Sequence, residues 1–113
     1  MGERLSLRLV PDRLWEMVAS LLPEFTPRRQ GGGRGPLDSR SVFTAVVYVL
    51  SSECAWRRLP SSFAVSPATA HRRFVAWSEA GLWERMRQVV LEGEGADDEK
   101  QWALSIAEAA MSR

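Results

Sequence analysis

Apolar side chains recur every three to four positions along most of the chain, and proline or glycine interrupts the runs. Leu14, Trp15, Val18, Leu21 and Leu22 make one apolar face, which predicts a first helix over residues 11–22. Pro11 suits its first turn, Asp12 its positive end, and Pro23 ends it. Asp38 is a good N-cap for a second helix reaching to about Ser52. The sequence of that helix, "SRSVFTAVVYVLSS", is apolar nearly all round, as a central buried helix should be. Val46, Val47 and Val49 would also tolerate a strand; the length of the run and the Asp38 cap decide for helix. "ECAWRRLPSSF" then reads as a turn and a short helix with Trp56, Leu59 and Phe63 facing inward. Ser66 caps and Pro67 opens a third helix that Gly81 stops, and residues 82–91 form one more. "EGEGADDE", residues 92–99, reads as an acidic linker. The final "KQWALSIAEAAMSR" has high helix propensity, although "WALSIA" could pair as a strand beside a sheet. The expected fold is all-α: about four to five helices containing a helix-turn-helix over residues 9–91, then an acidic linker and a short C-terminal tail over 92–113.

Composition narrows the function classes. A chain of 113 residues that is 45% apolar, with five tryptophans and four phenylalanines, can build one small core. Its single cysteine, Cys54, rules out an internal disulfide and a zinc cluster, and reads as a small core residue. That usage fits a reducing, cytoplasmic setting. No apolar run approaches membrane-spanning length, and "MGERLSLRLV" lacks the apolar centre of a signal peptide. His71 has no second histidine with which to share a metal. No metal, cofactor or membrane partner is expected.

Charge changes the picture more. The net charge of +1 hides thirteen arginines against eight acids in residues 1–91, and six acids against Lys100 and Arg113 in residues 92–113. Fourteen of the fifteen basic residues are arginine, which suits bidentate contact with phosphate, although a GC-rich genome gives the same bias. The stretch "PEFTPRRQGGGRGPLD", residues 23–38, combines three prolines, four glycines and three arginines and cannot be regular structure. Two readings stay open: a solvated linker, or a basic arm whose Arg28, Arg29 and Arg34 settle on DNA.

The third helix sharpens the second reading. At about 100° per residue, Ala70, Phe74 and Trp77 point at the core and Arg72 lies opposite them. Ala68, Val75 and Ala76 sit beside Arg72, with Thr69 and Arg73 at the flank. Small side chains let a helix approach a surface closely, and arginine reaches phosphate oxygens or guanine edges. With the short helix and turn before it, the segment from Ser66 to Trp77 has the makings of a recognition helix.

Several pieces stand in a definite order and spacing: Leu14–Trp15 followed by "LLP", the arginine–glycine loop, "LDSRSVFTAVVYVL", "CAWRRLP" and "HRRFVAWSEAGLWERM", together covering about residues 9–91. In that order they resemble the N-terminal domain of bacterial insertion-sequence transposases. The resemblance implies a helix-turn-helix domain that helps hold the inverted-repeat ends of a mobile element. It also marks departures. The pattern "RRFRRW" is met by Arg72, Arg73, Phe74 and Trp77, but Val75 and Ala76 replace its second arginine pair. "GGRGPLD" stands where "GGRPRLD" is usual, and Glu53 and Ala55 replace a typical glycine and proline around the cysteine. Full-length relatives continue into a ribonuclease-H-like domain with three catalytic carboxylates, the first on a tryptophan-containing strand. "WALSIAEAAMSR" lines up with that strand loosely and puts Glu108 at the carboxylate position. Two-metal catalysis needs further carboxylates from distant strands, so no catalytic residue is expected here.

The leading expectation is a DNA-binding domain of such a transposase, a short or truncated product recognising terminal inverted repeats. Thr69, Arg72 and Arg73 would touch duplex DNA with Arg28, Arg29 and Arg34, while Ala70, Phe74 and Trp77 seat the helix. One rival is a helical interaction module that dimerises or inhibits an intact transposase, which exposed Trp83 and Trp102 would favour. Another is a helix-turn-helix transcription regulator, since the fold alone does not separate the two.

Overall fold

Five α-helices and two 3₁₀ turns make up the described residues, 8–22, 38–93 and 97–113 of a computed structural model. The helices are α1 (Asp12–Leu21), α2 (Ser39–Ser52), α3 (Pro67–Glu79), α4 (Leu82–Glu92) and α5 (Asp97–Ser112); the turns, Trp56–Arg58 and Ser61–Phe63, lie between α2 and α3. The described residues contain no strand, and the protein is all-α.

α2 is the centre. Asp38 accepts a hydrogen bond from the Ser41 amide at 3.2 Å, as its N-cap position requires. The backbone is helical throughout, which settles the helix-or-strand ambiguity, and Val42, Phe43, Ala45, Val46, Val47, Val49 and Leu50 are all buried. Thr44 is buried too, and its hydroxyl donates to the Arg40 carbonyl at 2.7 Å, so no polar atom is stranded. Phe43 gathers the aromatic core, with ring centroids 6.0 Å from Trp15, 5.9 Å from Trp77 and 6.1 Å from Trp83. Arg40 ties α1 to this helix, donating to the Val10 carbonyl at 3.0 Å and to Asp12 at 2.7 Å. Pro11 stands one place earlier than expected: it is the N-cap of α1, and Asp12 begins the first turn.

The exit from α2 holds the two departures noted around Cys54 from the pattern the sequence resembles. Glu53, where a glycine is usual, has φ of 55°, in the left-handed region. A side chain there costs about 1–2 kcal/mol that glycine avoids. Ala55, where a proline is usual, has φ of −73°, within a proline's range. Its amide donates no hydrogen bond among the described residues. Glu53→Gly is therefore expected to raise the unfolding free energy by about 1 kcal/mol, and Ala55→Pro by about 0.4–1 kcal/mol. Urea denaturation of the single and double variants measures both.

α5 begins at Asp97, inside the stretch expected to be linker. It buries Ala103, Ile106, Ala107 and Ala110 against α4 and α2. Trp102 donates from Nε1 to the Leu9 carbonyl at 2.8 Å, joining α5 to the segment before α1. "WALSIA" is thus helical: its alanines pack helix on helix, and the described residues offer no sheet to pair with.

Candidate nucleic-acid interface

α3 is built at its start by local chemistry. Ser66 Oγ accepts from the Thr69 amide at 3.1 Å, and Pro67 occupies the first turn where no N–H is needed. At its end Ala80 and Gly81 turn the chain, Gly81 with φ of 78°, and α4 starts at once. Ala70, Phe74 and Trp77 are buried as the periodicity predicts. Trp77 lies against Phe43, and Phe74 against Trp56 and Trp83 at 5.2 and 5.9 Å.

What remains outside is Ala68, His71, Arg72, Val75, Ala76 and Glu79. Arg72 stands near the middle of that face and donates to Thr69 Oγ1 at 3.3 Å. Thr69 Oγ1 also accepts from Ser66 Oγ at 2.9 Å. The threonine hydroxyl thus ties Arg72 to the helix cap. Arg73, at the flank, is half-buried over the Trp77 ring, its guanidinium carbon 5.8 Å from the centroid. Burial there lowers its pKa from the ordinary arginine value by desolvation. The face divides along its length. Its first two turns carry His71, Arg72 and the Thr69 hydroxyl, whereas beyond Phe74 it carries Val75, Ala76 and Glu79. Val75 and Ala76 thus stand exposed where relatives of the pattern "RRFRRW" would present two more cations.

Other expectations fall differently. Arg28, Arg29 and Arg34 lie outside the described residues. Trp83 is 1% exposed, its Nε1 donating to Ser78 Oγ at 2.9 Å, and Trp102 is half-buried. Neither is the exposed ring that an interaction surface would use, because both indoles hydrogen-bond within the fold while their faces pack on the core. Cys54 is half-buried and accepts from Ser52 Oγ at 3.3 Å. Glu108 is exposed on α5, and among the described residues no group of His, Cys, Asp or Glu is placed to hold a metal ion. No helix among them is long and apolar enough to cross a membrane.

Sequence reasoning missed the residues around Trp56. The Trp56 ring meets His71 edge-on at 5.3 Å, and the guanidinium of Arg113 lies 5.4 Å from its centroid. Arg113 also donates to the Cys54 carbonyl at 2.6 Å, pinning the turn from the far end of the chain. Arg57 and Arg58, next in that turn, are exposed. The available signal was the run from Cys54 to Ser78, which holds four arginines and no carboxylate.

The fold and this surface define a small all-helical protein with an arginine-centred helix face. The chain belongs to the family described as "Putative transposase of IS4/5 family (DUF4096)", which matches residues 10–87. It is similar to the "Insertion element IS402 uncharacterized 16.2 kDa protein" of Burkholderia cepacia. The two are 31% identical over 107 residues, covering 93% of this chain and 73% of that protein. No solved structure matches it.

Proposed function

We propose that this protein is a DNA-binding product of an insertion element, with α3 as the recognition helix of a helix-turn-helix that reads the element's terminal inverted repeats. The observation that carries the reading is Arg72, exposed mid-face on α3 between small side chains and without a carboxylate partner among the described residues. A helix about 10–12 Å across fits a major groove about 12 Å wide, and Ala68 and Ala76 let its backbone approach. Thr69 and Arg73 serve at the flank, and Arg28, Arg29 and Arg34 of the glycine-rich segment add phosphate contacts. The chain holds DNA in the cytoplasm and performs no strand transfer itself. A transcription regulator would use the same helix and differ only in the site it selects. The rival interaction module loses the exposed tryptophans on which it depended.

Titration of labelled inverted-repeat duplex by fluorescence anisotropy at 50 and 200 mM salt tests this. Affinity is expected to fall steeply with salt, and Arg72→Ala to weaken binding by about 1–3 kcal/mol. Failure to bind any duplex at the lower salt concentration overturns the proposal.

A further inference from the structure

We infer that Arg57 and Arg58 form a second phosphate contact, on the wall of the groove opposite the one met by Arg73; this assignment rests on the DNA-binding reading above. The geometry of the 3₁₀ turn Trp56–Arg58 leaves them little alternative. In such a turn residues three apart eclipse one another. Trp56 and Leu59 both face the protein, Leu59 buried and Trp56 against His71 and Phe74. Arg57 and Arg58, between them, point outward and are exposed. Neither has a carboxylate partner among the described residues, and Glu53 is the one acid between Ser39 and Ser78.

Their side of α3 follows from the helical angles. Taking Ala70 as the inward direction, Phe74 and His71 lie progressively to one side, whereas Arg73 and Thr69 lie to the other at about 100° per residue. Trp56 packs on the first side, so the turn borders the edge of the exposed face that Arg73 does not. The open face with Arg72 at its centre is therefore flanked by cations on both edges. A helix lying in a major groove has a phosphate chain along each edge, and this arrangement supplies one cationic group to each.

The turn is also held in place before any ligand arrives. Arg113 covers the Trp56 ring and bonds the Cys54 carbonyl, while the Arg58 amide donates to the Ala55 carbonyl at 2.9 Å. A preorganised turn loses less freedom on binding than a mobile one.

The experiment compares the full chain with the Arg57→Ala/Arg58→Ala and Arg57→Lys/Arg58→Lys double variants. Each is titrated with inverted-repeat duplex across 50–200 mM salt, with circular dichroism as the control for folding. The alanine pair is expected to reduce the slope of log K against log salt by about 1.8, from about 0.9 per phosphate contact, and to weaken binding about tenfold or more at low salt. The lysine pair should restore most of the slope, because the contact is to charge. In duplexes with methylphosphonates in one strand at a time, the alanine pair should be less sensitive than the wild-type chain to substitution in one strand and equally sensitive in the other. Wild-type binding with an unchanged slope in the folded alanine pair overturns the assignment and leaves the role of α3 standing. Absence of duplex binding by the wild-type chain removes both.

Discussion

Phe43→Ala is expected to lower the unfolding free energy by about 3–5 kcal/mol, the range for emptying a buried aromatic site. Phe43 is fully buried in the N-terminal half of α2, and the rings of Trp15, Trp77 and Trp83 all lie about it. Three indoles on three different helices cannot all move in to fill the same void, so little of the cavity collapses. For a small domain with a total stability of about 5–15 kcal/mol, such a loss puts the native state close to its limit. Urea denaturation followed by tryptophan fluorescence should show an earlier midpoint. A loss below about 1 kcal/mol would mean that the tryptophans repack freely and that Phe43 does not organise them. The consequence for function is direct: Trp77 seats α3 on Phe43, so loosening this contact loosens the helix that presents Arg72.

The parts of this fold that were legible in the sequence are those fixed by neighbours in the chain. Asp38, Ser66, Pro67 and Gly81 each act within one helical turn, and each marks an element end where its chemistry says it should. The inward set of α3 was equally readable, because Ala70, Phe74 and Trp77 obey one periodicity. The membership of α5 in the core was not. Its inward residues are mostly alanines, which carry a weak apolar signal, and the contacts that recruit it come from Leu9, α2 and α4. Trp83 is a related case. Leu82, Trp83, Met86 and Val90 all turn inward, but a tryptophan beside a glycine corner shows no direction until Ser78 and Phe43 are placed. The candidate interface divides along the same line. Arg72 could be placed from angle alone, whereas Arg57 and Arg58 needed Trp56 to be fixed by a histidine, a phenylalanine and an arginine from α3 and from the end of the chain.

Ending the chain after Gly93 is expected to abolish cooperative unfolding and duplex binding together, although α5 offers no cation to the proposed interface. The physical reason lies in what α5 covers. Burying Ile106 is worth about 1.5–3 kcal/mol, and each methyl of Ala103, Ala107 and Ala110 about 0.8 kcal/mol. These side chains are buried in the intact protein, and removing them uncovers apolar surface on α4 and α2 as well. Together the losses reach about 5 kcal/mol, the lower end of the stability of a small domain. The truncated chain would lack the Trp102–Leu9 hydrogen bond that holds the segment before α1, and the Arg113 contacts that hold Trp56. Near-ultraviolet circular dichroism should lose its tryptophan bands, and anisotropy titration should show at most weak, salt-labile association. A sigmoidal urea transition in the 1–93 chain within about 1 kcal/mol of the full-length value would show instead that α5 is an accessory. Such a result would also free the Trp56 turn from any dependence on the end of the chain, leaving His71 and Phe74 alone to hold Arg57 and Arg58 beside α3.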